Sequence, residues 1–198
     1  MSNQELFESI LNNCTEKKII SYAKKLIKKC SFNSGECARN LCSLAYWLYV
    51  YGYEDDALKL AEITHDVEFP GKAWFNVWDF LLCVWGLEVY ILKKKGEIEK
   101  AEERIRLMDK YMSYPELSDG SKRPEQLEIQ RRNRFTYEYV ANAKHIETAY
   151  SKSLADEYRF TSLFEMIGYT YTGLFPNLLK DEEKIGKLID EYIVAIKN

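Results

Sequence analysis

The sequence predicts an all-α protein of about eight to nine helices, in which neighbouring helices pair as antiparallel hairpins. Apolar residues recur at helical spacing along most of the 198 residues, and no useful stretch alternates with a period of two. The chain has only 4 Pro and 9 Gly, too few for the many turns of a β fold. A short pattern also appears twice: a Gly, an acidic stretch and an Ala five residues later, at 52–57 and 96–101. Each copy is expected to join two helices tightly.

The first three helices follow from capping residues and apolar stripes. A capping box of Ser2 and Glu5 predicts a helix to about residue 12, and Thr15 can cap the second helix. Segment 31–35 is a break, and a third helix then runs to about Tyr51. From residue 41 onward this helix is apolar almost all round, which predicts that it is buried.

The middle helices are set by the two glycines of the repeated pattern. Gly52 ends the third helix in the C-terminal position that favours a left-handed residue. The fourth helix then runs to about His65, with carboxylates in its first turn, where they complement the helix dipole. A loop is expected over 66–71, a fifth helix over about 73–95 and a sixth over 97–112.

The C-terminal part begins with the only long polar stretch, 113–124, which contains two Pro and is predicted to be an exposed connection. Residues 125 to about 150 are predicted to form one long helix, and 154–171 another. The last helix is expected over 181–197, where apolar residues recur at helical spacing.

The two Gly-to-Ala copies resemble tetratricopeptide (TPR) repeats, in which a Gly lies at the turn of a helical hairpin and an Ala follows in the second helix. In the first copy, the family's packing positions are taken by Leu41, Leu44, Ala45, Leu48, Ala57, Leu58 and Ala61, with Pro70 near the close. In the second copy, the matching residues are Trp85, Val89, Leu92, Gly96, Ala101 and Pro115. Two features depart from the family. Glu88 stands at a normally apolar position, and the copies are 44 residues apart instead of about 34.

The resemblance covers roughly residues 40–115 and implies a TPR-like array of stacked hairpins, with a compact irregular bundle as the alternative. TPR arrays offer a concave groove for peptides or proteins, so the resemblance implies binding and not catalysis. We expect one all-α domain over 1–198, with the TPR-like hairpins at about 40–115 and flanking helices at 2–30 and 125–197.

Neither a catalytic nor a metal motif stands out in the sequence. Glu62 and His65 have the E-x-x-H spacing of di-iron bundles, but the second motif that such a site needs is missing around His145. Cys37 and Cys42 are five residues apart and lie on different helix faces, so we expect no zinc site. Phosphate-loop and nucleophile motifs are absent as well. The prediction is therefore no enzyme, no cofactor and no metal.

Two features mark a candidate partner-binding surface. Acidic residues cluster on the fourth helix and in the loop after it; such a cluster is typical of a solvated face, and its functional interpretation is docking to a basic patch on a partner. Aromatic residues cluster before Gly52 and again after the predicted loop at 66–71. Because consecutive aromatics on one helix cannot all face one core, some are expected to be exposed binding anchors. The candidate partner-binding residues are Glu54, Asp55, Asp56, Glu62, Asp66, Glu68, Phe69, Trp74, Phe75 and Trp78.

Cysteine count and charge bear on location and partners. Five Cys, an odd number, and a polar N-terminal segment without a positive region predict reduced thiols in a cytoplasmic protein. The longest apolar stretch, 77–92, is too short for a membrane span and contains Asp79 and Glu88. A net charge of −3 indicates neither nucleic acid nor membrane as a partner. The frequent Lys, Ile, Asn and Tyr are typical of a low-GC bacterial genome.

Together these observations favour a non-catalytic protein-binding module. The first hypothesis is a bacterial immunity protein that neutralises a cognate toxin domain by occluding it. The alternative is a TPR-like adaptor or peptide-sensing regulator that holds a segment in its groove, and a further alternative is an enzyme with an unrecognised site. The sequence leaves the partner's identity and the oligomeric state open.

Overall fold

The fold was obtained as a computed structural model, which describes residues 3–29, 35–66, 75–112, 138–170 and 182–198. Within these ranges the chain forms helices and no strand, which confirms the all-α prediction. The described ranges contain nine α-helices: α1 Asn3–Asn13, α2 Lys17–Lys29, α3 Gly35–Val50, α4 Glu54–Ile63, α5 Phe75–Lys94, α6 Ile98–Met112, α7 Glu138–Ala149, α8 Lys152–Thr170 and α9 Glu182–Lys197. Among the described residues, no helix combines the length and hydropathy that a membrane span needs.

Most helix ends agree with the sequence predictions to within a few residues. One difference is the end of the fourth helix: α4 stops at Ile63, and a short 3-10 turn follows over Thr64–Asp66. The predicted loop at 66–71 and the predicted connection at 113–124 lie outside the described residues, apart from Asp66. Of the long helix predicted from 125, the described part is α7.

The two hairpin turns, α3–α4 and α5–α6, are built in the same way. Gly52 has φ +87° and Gly96 has φ +77°, the left-handed conformation that glycine adopts without strain. In both turns the glycine N–H donates to the carbonyl three residues earlier, and the next N–H donates to the carbonyl five residues earlier. This pair of bonds is a Schellman motif. Ala57 and Ala101 are both buried, so the repeated pattern produces two equivalent hairpins.

The centre of the fold is formed by α3 and α5. Helix α3 contacts α2, α4, α5 and α8, and α5 contacts α3, α4, α6 and α8. All ten residues from 41 to 50 are therefore buried, including the neighbouring aromatics Tyr46, Trp47 and Tyr49. The expectation that consecutive aromatics leave some side chains exposed is wrong for these three, because α2, α4, α5 and α8 all pack against α3.

The C-terminal helices fold back onto the hairpins through α8. This helix packs on α5 and also touches α3, while α7 and α9 pack against α8. The Tyr46 hydroxyl of α3 donates toward the Cys83 carbonyl of α5 (3.0 Å) and the Phe164 carbonyl of α8 (3.3 Å). Burial raises the pKa of the Tyr46 phenol well above its usual range, so the hydroxyl keeps its proton as a donor. Helix α8 thus covers one face of α3 and α5.

Candidate binding cleft and a buried charge network

The acidic block on α4 is largely paired with lysines of the same chain. Glu54 forms an ion pair with Lys94 at 2.8 Å, and Asp55 pairs with Lys95. Lys94 is the last residue of α5 and Lys95 follows it, so the pairs link the two hairpins and complement both helix dipoles. The hydrogen bond from Lys95 lowers the pKa of Asp55.

The other members of the predicted surface are placed only in part. Asp56 is buried at 6% exposure and pairs with Lys59 at 3.1 Å, whereas Glu62 is exposed. Asp66 ends the 3-10 turn, and Phe75 and Trp78 belong to α5. Glu68, Phe69 and Trp74 lie outside the described residues. Three of the carboxylates, Glu54, Asp55 and Asp56, are therefore held by internal ion pairs.

Glu88, the residue that departs from the TPR pattern, is the centre of a buried charge network. It is 4% exposed within α5, between the end of α4 and helix α6. Its Oε2 lies 2.8 Å from His65 Nε2 and 3.2 Å from Arg104 Nε. The Arg104 N–H at that nitrogen makes no hydrogen bond to a described residue, so this second contact is an ion pair without hydrogen-bond geometry. The carboxylate thus holds two basic groups from two different elements.

A second polar contact fixes the same turn one residue earlier. Thr64 is fully buried; its Oγ1 accepts a 2.8 Å hydrogen bond from Trp85 Nε1 and donates to the Ala61 carbonyl. Trp85 and Glu88 lie one helical turn apart on α5 and bind the consecutive residues Thr64 and His65 of the 3-10 turn. The network joins α4, α5 and α6 and is structural in character.

The two residues of the E-x-x-H motif, Glu62 and His65, do not form a common site. His65 binds Glu88 across the helix interface, while Glu62 faces solvent. In the described part of the chain, no three His, Cys, Asp or Glu side chains are grouped as metal ligands would be. Of the five cysteines, Cys14, Cys42 and Cys83 are buried, and none of these three forms a disulfide with a described residue.

A cleft of about 780 Å³ opens between α3 and α8, with α2 and the end of α9 at its sides. One wall is a stripe formed by α3 and the residue that follows it, in which Arg39, Ser43, Trp47 and Tyr51 recur at four-residue spacing. Residues four apart share a face of a helix, so this stripe presents a cation, a hydroxyl and two aromatic rings in a row. The volume is in the range of sites that bind ligands or peptide side chains.

The floor of the cleft is aromatic. Trp47 stacks on Phe160 of α8, with ring centroids 3.8 Å apart and planes at 17°, and Phe160 meets Phe164 edge-on at 4.9 Å. Trp47 is only 7% exposed, and its indole N–H is buried without an acceptor among the described residues. Such an unpaired donor is unfavourable unless another group satisfies it.

The rim of the cleft is basic. Lys18 lies over the Trp47 ring at 4.5 Å, and Lys197 lies 5.9 Å from the Tyr51 ring centroid. With Arg39 and Lys152 they make four cations, none of which forms an ion pair with a residue that the structure describes.

The wall on α8 does little to offset this positive charge. Asp156, one of the two carboxylate side chains along the cleft, is paired with Arg159 at 2.8 Å. Arg159 also binds Glu147 at 2.5 Å and lowers the pKa of that carboxyl. Glu157 is the other carboxylate of the wall, and it is exposed. The cleft is therefore positively charged in a protein whose net charge is −3.

DUF6707, described as a family of unknown function, matches residues 2–135, which is more than half of the chain. The chain belongs to the DUF6707 family. No curated protein matches the chain, and no solved structure does.

The DUF6707 match contains one wall of the cleft and ends before the other. The stripe on α3 lies within residues 2–135, together with Lys18 of α2, whereas α8 and α9 come after residue 135. Sequence reasoning missed this site in the DUF6707 chain, although the four-residue spacing from Arg39 to Tyr51 was a visible signal. The opposite wall gave no such signal, because its pairing with α3 spans more than 100 residues of sequence.

Proposed function

We propose that this protein is a non-catalytic protein-binding module and that its partner binds at the cleft between α3 and α8. The observation that supports the proposal is the combination of an aromatic floor with four rim cations, none paired with a described residue. Cations that form no ion pair within the described structure can pair with carboxylates of a partner, and the apolar floor can bury a side chain of that partner.

The groups along the cleft favour binding over catalysis. Ser43, Ser153 and Thr161 supply hydroxyls, but a nucleophile needs a base beside it. Neither histidine lines the cleft: His65 is bound to Glu88, and His145 is exposed on α7. Asp156 is held by Arg159. The side chains present can therefore hold a partner but offer no evident proton-transfer pair.

Within this class we propose an immunity function, in which the partner is a toxin domain that the protein occludes. A small all-α chain with a charged, preformed cleft and no acid–base pair in it fits this role. The alternative, a TPR-like adaptor that holds a peptide in its groove, is less well supported. Helix α8 already lies against both α3 and α5, the first helices of the two hairpins.

Co-expression with the product of the gene directly upstream tests this proposal. We expect that product to slow growth when expressed alone, and we expect the present protein to restore growth and to co-purify with it. A harmless upstream product contradicts the immunity function. Failure of the two proteins to co-purify contradicts the proposed binding partner.

A further inference from the structure

We infer that the cleft receives an acidic segment of a partner protein, with one apolar or aromatic side chain seated between flanking carboxylates. The inference rests on the proposed function and specifies the chemistry of the partner. It follows from three observations: the sign of the cleft's charge, the contacts that cover its aromatic rings, and the Trp47 indole N–H, which has no acceptor among the described residues.

The charge of the cleft selects an anionic partner. Lys18, Arg39, Lys152 and Lys197 are all exposed, and none forms an ion pair with a described residue. The chain as a whole carries a net charge of −3, so the charge of the cleft is opposite to the net charge of the protein. A local field of opposite sign steers an acidic segment to the cleft and disfavours docking elsewhere on the surface.

The covering of the aromatic floor favours a peptide side chain over a stacked base. Phe160 stacks on one face of the Trp47 indole, and the Lys18 ammonium lies over the ring at 4.5 Å. A nucleobase needs a free aromatic face, which Trp47 does not offer. Phe80 is only half-buried and also lines the cleft, so an apolar side chain can pack there by edge contact.

The Trp47 indole N–H supplies the third argument. It is buried and has no acceptor among the described residues. An acidic segment is rich in carboxylate and carbonyl oxygens, which are the acceptors that this donor lacks. The Lys18 ammonium lies over the same ring at 4.5 Å, where it would attract a bound carboxylate.

A labelled peptide with one Phe between two runs of three Glu tests the inference by fluorescence anisotropy at low salt. The cleft variant carries Arg39→Glu and Lys152→Glu. The matched control carries Lys24→Glu and Lys144→Glu, two exposed lysines outside the cleft, and therefore has the same net charge. A second peptide with Gln in place of every Glu controls for charge, and thermal melts confirm that both variants fold.

We expect saturable binding of the acidic peptide, about tenfold weaker in the cleft variant and changed less than twofold in the control variant. The Gln peptide should bind at least tenfold more weakly. Equal loss in both variants, equal binding of the Gln peptide, or no saturable binding overturns the inference. Saturable binding of ATP at the cleft in place of the peptide overturns it as well.

The inference and the proposed function can fail separately. If the upstream protein co-purifies with the wild type but not with the cleft variant, and the acidic peptide does not bind, the partner uses the cleft and the inference fails alone. If the upstream protein is harmless and does not bind, the proposed function fails, whatever the peptide shows.

Discussion

Gly86 of α5 and Gly168 of α8 face each other so closely that a methyl group on Gly86 would lie 2.5 Å from the Gly168 Cα. A methyl group on Gly168 would in turn lie 2.7 Å from the Cα of Cys83. The backbones of α5 and α8 are in contact where the two helices cross. Nearby, the Tyr46 hydroxyl donates to the Cys83 carbonyl of α5 and the Phe164 carbonyl of α8. This contact sets the position of α8, and α8 supplies one wall of the cleft.

Substitution of Gly86 by Ala should therefore destabilise the fold. The obstructing atoms are backbone atoms, which cannot rotate away, so we expect a loss of about 1–3 kcal/mol or more in the free energy of unfolding. Gly186 of α9 is the matched control, because a methyl group there meets no atom within 4 Å. Gly186→Ala should stabilise the protein by about 0.5–1 kcal/mol. Urea denaturation measures both changes, and equal effects of the two substitutions would contradict the close crossing.

The hairpin glycines are predicted to matter for a different reason. Nothing lies within 4 Å of a methyl group at Gly52 or Gly96, but both have positive φ. Each Gly→Ala substitution should cost about 1–2 kcal/mol from backbone strain alone. Gly52→Asn should cost less, because Asn tolerates the left-handed conformation. If Ala and Asn at position 52 were equally destabilising in thermal melts, the strain argument would be wrong.

Glu88 is expected to be the most sensitive charged residue of the core. Glu88→Ala leaves His65 and Arg104 without the carboxylate that both contact, and loss of one partner of a buried ion pair destabilises by about 3–5 kcal/mol. Replacing all three residues by apolar ones of similar size should recover most of that loss. The exposed Glu99 of α6 is the control, and Glu99→Ala should change stability by less than about 0.5 kcal/mol. A Glu88→Ala protein as stable as the control would rule out a structural role for the network.

Acid stability should depend on two surface ion pairs. Hydrogen bonds from Lys95 and Arg159 lower the pKa values of Asp55 and Glu147 in the folded state. A lowered folded pKa gives stability that is present above the unfolded pKa, near 3.8 for Asp and 4.5 for Glu, and is lost as pH falls through the folded pKa. The double variant Asp55→Asn, Glu147→Gln should therefore lose less stability than the wild type between pH 5 and about pH 3. Parallel curves of melting temperature against pH would show that these pairs contribute nothing.

The local part of the fold could be predicted from the sequence, because it depends on residues close together in the chain. The turns at Gly52 and Gly96 are defined by a few consecutive residues. The left-handed conformation predicted for Gly52 is present, and Ala57 and Ala101, which match TPR packing positions, are buried. The helix pairs follow in the same way, because a short turn forces antiparallel neighbours.

The long-range part could not be predicted from the same patterns. Glu88 was recognised as a departure from the TPR pattern. Its partners His65 and Arg104 lie in other elements, and no repeated spacing in the sequence connects them with Glu88. The aromatics of α3 appeared too many to bury, because nothing in their spacing shows that α8 returns to cover them. The acidic block suggested a free surface, whereas Lys94 and Lys95 neutralise much of it from a separate helix.

The most direct test of the account is protection from the upstream gene product by the cleft variant. Arg39→Glu with Lys152→Glu reverses the charge of two exposed rim residues and touches no core contact described above. We predict that cells producing this folded variant lose protection, while cells producing the Lys24→Glu, Lys144→Glu control grow as well as the wild type. Full protection by the cleft variant, at equal protein level, would contradict the claim that the partner binds between α3 and α8.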